Sequence, residues 1–155
     1  MREAKTVIEE LRLSPHPEGG WFRETWRLPA EDDDDERARA TAIYFLLESD
    51  QRSHWHKVDA AEVWLWHAGD PLLLSVSTSP KGPARDVRLG ADVIAGDRPH
   101  YVIGAHEWQS ATALPGTHGY SLVSCVVVPA FQFAGFTLAP PDWYPGREPV
   151  DPLRG

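Results

Sequence analysis

Cysteine is almost absent from the sequence. Cys125 is the only one among 155 residues, which excludes a disulfide within the chain. It sits in the apolar run Leu122-Val123-Ser124-Cys125-Val126-Val127-Val128 and reads as a small buried hydrophobe, not as a nucleophile. Long hydrophobic runs are missing too. No stretch approaches the roughly 18 apolar residues of a membrane span, and Met1-Arg2-Glu3-Ala4-Lys5 leads into a polar helix rather than a signal segment. The expectation is a cytoplasmic protein with no membrane partner. Positive charge is scarce: 15 basic residues stand against 23 acidic, a net charge of −8, with no basic stripe. That argues against an electrostatic nucleic-acid surface. A nucleotide-binding glycine loop and a nucleophile elbow are lacking as well.

The acidic excess is local. Glu31-Asp32-Asp33-Asp34-Asp35-Glu36 puts six acids in one run. Like charges at that density repel and stay solvated, so residues 31–36 read as a surface loop, with cation binding as the alternative. The remainder is an ordinary globular composition, 42% apolar and 10% aromatic with seven Trp. At this length one hydrophobic core suffices, and residues 1–155 are expected to form a single domain.

The hydrophobic period changes once. Val7, Ile8 and Leu11 recur at helical spacing within 3–12, and Pro15 and Pro17 are expected to stop that helix. After Gly19-Gly20 the pattern is that of strands at 20–27, 41–47, 53–58, 62–68, 72–77, 86–89, 100–103, 107–113, 121–128 and 132–137. Turn residues such as Gly69-Asp70-Pro71 and Leu114-Pro115-Gly116 separate them. Many short strands without alternating helices predict an all-β sandwich or barrel with a short N-terminal helix. Five prolines between Pro140 and Pro152 predict an irregular tail over 140–155.

Chemistry concentrates in one hairpin, Ser53-His54-Trp55-His56-Lys57-Val58-Asp59-Ala60-Ala61-Glu62-Val63-Trp64-Leu65-Trp66. Residues two apart in a strand share a face, which pairs His54 with His56. A turn through Asp59-Ala60-Ala61 returns the chain with Glu62, Trp64 and Trp66 on one face. Two imidazoles and a carboxylate then converge, a set that leaves positions open on Fe(II), Mn(II), Ni(II), Zn(II) or Co(II). A metal-free reading uses the same residues: a carboxylate beside an imidazole can move a proton on a carbon next to a carbonyl. A third reading gives these residues only structural hydrogen bonds.

The segment resembles the first cupin motif, with His54-x-His56, five residues, Glu62, six residues and Gly69. Gly104-Ala105-His106-Glu107-Trp108-Gln109 resembles the second, with Gln109 where a third ligand His is usual. The chain is similar over about 5–145 to the cupin type 5 family of unknown function. The carriers are His16-Pro17-Glu18-Gly19-Gly20, Trp21-Phe22-Arg23-Glu24-Thr25, Thr41-Ala42-Ile43-Tyr44-Phe45-Leu46-Leu47, Ala68-Gly69-Asp70-Pro71-Leu72 and Val127-Val128-Pro129-Ala130-Phe131. This resemblance implies a double-stranded β-helix, the cupin jelly roll, usually a homodimer, with fold kinship to sugar-nucleotide epimerases and metal-dependent cupins. It implies one divalent metal held by His54, His56, Glu62 and Gln109, with no metal as the alternative. The family often lacks His at position 54, and it carries three acids within the segment that here reads Ala130-Phe131-Gln132-Phe133-Ala134-Gly135-Phe136.

The expected function is a small-molecule enzyme acting on a polar or anionic substrate. Alternatives are a metal-free isomerase, with His56 as base, Glu62 as its partner and Tyr44 or Tyr120 as acid, and a non-catalytic ligand-binding module. Arg23 is a candidate anion anchor, because guanidinium meets carboxylate or phosphate in a fork, though it could equally pair with a surface acid. Trp64, Trp66, Trp108 and Tyr120 are candidate pocket walls, with core packing as the alternative. His16 and Glu18, in a Pro/Gly-bracketed loop, read first as a turn held by side-chain hydrogen bonds and second as a contribution to a pocket or dimer.

Overall fold

The computed structural model describes residues 3–32 and 37–147. Asp33 to Glu36 of the acidic run and Glu148 to Gly155 of the tail lie outside the described residues. One helix, α1 (Ala4–Leu11), precedes the strands. It ends on Arg12 in the left-handed conformation (φ 57°), whose N–H closes on the carbonyls of Ile8 and Glu9. The stop therefore comes three residues before Pro15, through a left-handed C-cap and not through proline.

Two antiparallel sheets follow. One orders β1 (Ser14–Pro15), β2 (Trp21–Leu28), β3 (Ala40–Glu48), β10 (Tyr120–Val128), β5 (Ala61–Gly69) and β8 (His100–Ile103). The other orders β11 (Phe136–Leu138), β4 (Arg52–Val58), β9 (Trp108–Ala113), β6 (Leu72–Ser77) and β7 (Arg85–Leu89). The expectation of a β-rich protein with a short N-terminal helix is met. The predicted strand at 132–137 instead holds a 3₁₀ turn over Phe133–Gly135 and the first two residues of β11.

The core lies between the sheets. Phe45, Leu47, Trp64, Val123 and Cys125 of the first face Leu72, Leu74, Val76, Leu89, Ala111 and Ala113 of the second. Period-2 alternation decides which residues take part. Along β3, Phe45 and Leu47 enter the core, while Tyr44 and Leu46 turn to the opposite face. There Val7, Ile8 and Leu11 of α1 cover them, together with Leu13 and Tyr120. Burial of that apolar stripe holds a helix too short to persist alone in water.

Candidate functional site

One end of the sandwich, where β3 starts and β10 ends, stays open as a cavity of about 480 Å³. Its walls are Phe22, Ile43, Val58, Val127, Phe131, Phe133 and Phe136. Its polar lining is His16, Glu18, Glu24, Arg27, Thr41, His56, Glu62 and Gln132. An apolar chamber with a few polar groups is the usual form of a small-molecule site.

His56 and Glu62 both line this cavity. Both are buried, at 3% and 7% exposure. The His56 Nδ1 lies 2.7 Å from the His54 carbonyl oxygen. A carbonyl can only accept, so Nδ1 carries the proton, and Nε2 is left as the basic nitrogen of a ring lining the cavity. Burial lowers the pKa of this imidazole, against an upward pull from Glu62 and the His54 carbonyl. Burial raises the pKa of Glu62, with His56 opposing and Glu18 reinforcing.

His54 does not join them. Ser53 pairs with Ala111 and His56 with Gln109, so three steps along β4 match two along β9. This bulge breaks the alternation that would put 54 and 56 on one face. The His54 ring instead bonds the Pro140 carbonyl oxygen at 2.8 Å, outside the cavity. Gln109 is buried, but both ends of its amide are engaged. Its Nε2 donates to Glu62 Oε1 at 3.0 Å and its Oε1 accepts from Trp64 Nε1 at 3.0 Å. His106 is exposed and is not among the residues lining the cavity. The expected metal set of His54, His56, Glu62 and Gln109 therefore does not fit: two of its four members have no donor atom free toward the site. Among the described residues no group of three His, Cys, Asp or Glu side chains is placed to hold a metal ion.

Other candidates also sit elsewhere. Tyr44 and Tyr120 pack in the cluster under α1, so neither can donate a proton into the cavity. Trp64 is in the core and reaches the site only by orienting Gln109. Trp66 packs against the core with its Nε1 on the Asp70 carbonyl. Trp108 packs against Trp143 of the tail with ring centroids 4.5 Å apart and planes tilted by 45°, under the Lys57 ammonium. Arg23 reaches the Leu11 carbonyl at the end of α1. A register shift between Glu24 and Trp26 lets Arg27, not Arg23, follow Phe22 and Glu24 on the cavity side. Arg27 is bound there to Glu24 at 2.8 Å.

His16 and Glu18 complete the lining, although their Pro/Gly-bracketed loop reads first as a turn. Both side chains are nearly buried, at 9% and 8% exposure, and both line the cavity. Gly19 and Gly20 put them there. At Gly19 (φ 109°) a Cβ would lie 2.2 Å from the Arg52 carbonyl oxygen, and at Gly20 (φ 81°) 2.9 Å from that of Leu46. Only glycine lets the loop press this closely on β3 and β4. Glu18 Oε2 then stands 3.1 Å from His56 Nδ1. It makes no hydrogen bond of good geometry, although the Ser53 hydroxyl is near enough to favour the charged carboxylate. Burial dominates and raises the Glu18 pKa to about 8. The His16 Nδ1 accepts from the Glu18 N–H at 3.1 Å, and burial, with His56 second, lowers its pKa to about 4. At neutral pH the end of the cavity thus holds two uncharged imidazoles and a protonated carboxyl.

Residues 5–139 match the family model described as Cupin superfamily (DUF985). The chain belongs to this cupin family. Among solved structures this cupin is similar to a protein from Shewanella oneidensis, 35% identical over 90% of this chain and 85% of that one, with a TM-score of 0.81. It is 27% identical to an uncharacterized protein of Saccharomyces cerevisiae, over 85% of this chain and 73% of that protein. Oxalate decarboxylase of Bacillus subtilis, at 12% identity over 84% of this chain and 30% of its own, shares the fold with a TM-score of 0.58. The motif that most directly points to the buried acid, His16-Pro17-Glu18-Gly19-Gly20, lies within the matched segment.

Proposed function

We propose that this cupin is a small-molecule enzyme of isomerase type, moving a proton on a carbon next to a carbonyl by acid–base chemistry. The observation that supports it is the state of His56. Its Nδ1 is tied to a carbonyl of its own strand, its Nε2 is the free base, and two buried carboxyls share its cavity. In this reading Nε2 takes the carbon-bound proton while a protonated carboxyl, Glu18 or Glu62, delivers one to the carbonyl oxygen. Nε2 then returns its proton to the neighbouring carbon, the former carbonyl, while the carboxylate takes the hydroxyl proton from the carbon first deprotonated, which gives the isomer and restores both groups. The imidazolium formed is stabilised by the carboxylate left behind. The carboxyls take the acid role that the sequence reading assigned to a tyrosine.

The two sheets are read as one double-stranded β-helix forming a single domain, and the family resemblance adds a homodimer. A light-scattering mass of one chain, 17.3 kDa, would remove the dimer. The Mn(II) centres of oxalate decarboxylase belong to a protein sharing only the fold, and the donor geometry here gives them no counterpart. The test is solvent-deuterium exchange into a panel of ketoses, 2-oxo acids and amino ketones, followed by proton NMR with EDTA present. Exchange into at least one compound, lost in His56→Gln, is expected. No exchange into any of them, or exchange only after adding a divalent metal, refutes the reading.

A further inference from the structure

We infer that the cavity takes an organic ammonium: a charged amine on an apolar or aromatic body, with its nitrogen at Glu18 and Glu62 and its body against the phenylalanines. This rests on the proton-transfer reading of the same cavity and adds the class of substrate.

Charge inside the cavity is lopsided. Glu18 and Glu62 lie at the inner end and Glu24 at the mouth, against a single cationic side chain, Arg27. Arg27 is already taken, with Nη2 and Nε both directed to Glu24. Positive groups nearby are committed elsewhere: Arg37 is bidentate on Asp59, Arg23 is on the Leu11 carbonyl, and Lys57 lies over Trp108. Gln109 satisfies one oxygen of Glu62. Glu18 Oε2 is left buried without a hydrogen bond. Burial holds both carboxyls toward the protonated form in the empty cavity; an ammonium seated between them offsets the cost of ionising one, while the other keeps the proton it donates. An anionic substrate would meet three carboxyls and one neutralised guanidinium.

The wall suits the same ligand. Phe131, Phe133 and Phe136 stand edge to face at 5.2, 5.8 and 6.4 Å between ring centroids. Phe133 lines the cavity while 64% exposed, an aromatic surface left open among the described residues. Aromatic faces attract ammonium groups, and their apolar area holds the hydrocarbon body. Of the metal set only His56 and Glu62 keep donors at the site, so a compact amine with three N–H donors answers this charge better than a bare divalent ion. An ammonium beside a carbonyl also acidifies the intervening C–H, the bond that His56 is placed to break.

The experiment is titration calorimetry of the full chain at pH 7 with EDTA, using 2-phenylethylamine, 2-phenylethanol and 3-phenylpropionate. A charge-assisted contact predicts that the amine binds about tenfold or more tightly than the alcohol, with no detectable binding of the propionate. Glu18→Gln and Glu62→Gln should each collapse the amine-to-alcohol ratio toward one, so if either variant fails to fold the other still decides. Equal or tighter binding of the alcohol or propionate, no binding by any probe, or an unchanged ratio in the variants overturns the inference. So does stoichiometric Zn²⁺ or Mn²⁺ binding without EDTA that is lost in Glu62→Gln. Deuterium exchange that depends on His56 without any amine preference would sink the substrate class alone. Amine preference without exchange would sink the reaction alone.

Discussion

Glu18→Gln makes the stability of this cupin less dependent on pH, and the effect has a defined window. An unfolded glutamate titrates at 4.5, and burial moves the folded value to about 8. Between these values the folded chain holds a proton that the unfolded chain has released, so raising the pH favours unfolding. The slope of one such group is about 1.4 kcal/mol per pH unit, and the gap of about 3.5 units is worth up to about 5 kcal/mol. For a chain of this size that slope corresponds to roughly 3–5 °C of melting temperature per pH unit. Below pH 4.5 and above pH 8 the contribution is flat. Glutamine fills the same space and cannot titrate. The stability of Glu18→Gln relative to the native chain should therefore rise steadily from pH 5 to pH 8. His16 works in the other direction, with a folded value of about 4 against 6.5. Its neutral form is favoured in the fold, so its contribution is complete above pH 6.5 and lost as pH falls toward 4. It is present in both proteins and largely cancels in the difference. Urea unfolding at pH 5, 6, 7 and 8 measures the difference directly. A difference constant over that range would mean that Glu18 is not buried as described, and the site built around it would fail.

Three further outcomes follow from named contacts. Gln109→Leu leaves Glu62 Oε1 and Trp64 Nε1 buried without these partners and should cost about 2–6 kcal/mol in denaturant unfolding, because each orphaned polar group costs about 1–3 kcal/mol. Gly19→Ala places a Cβ against the Arg52 carbonyl oxygen at a left-handed φ and should cost about 2 kcal/mol or more, with loss of exchange activity as Glu18 is displaced; thermal unfolding and the NMR exchange assay read the two effects. His54→Ala removes one hydrogen bond to the tail, worth about 1 kcal/mol, and should leave exchange within about twofold, whereas His56→Gln should lower it about 100-fold or more.

The hairpin around His56 shows where sequence reasoning stops. Alternation located β4 and β5 and put Glu62, Trp64 and Trp66 on the inner face, because a strand has an intrinsic period of two. It could not see the extra residue between Ser53 and His56. A bulge leaves no compositional mark, yet it reverses the parity of everything before it, which is why spacing alone pairs His54 with His56 while the fold sets them apart. The shift after Glu24 did the same to the choice between Arg23 and Arg27. Tyr44 and Trp108 were legible as strand residues. Which of two faces met the cavity depended on where α1 and the tail came to rest.

The glycines of His16-Pro17-Glu18-Gly19-Gly20 marked a turn from the outset, since glycine relaxes the backbone wherever it stands. That the turn drives a carboxyl into the interior came from β3 and β4 packing against it. Local preference thus determined the elements, their order and the identity of the reactive hairpin, because periodicity and turn chemistry are properties of neighbouring residues. Burial, charge state and the company each side chain keeps were decided only when segments distant in sequence closed around one cavity. Those quantities depend on what surrounds a group, and a linear sequence does not carry its surroundings.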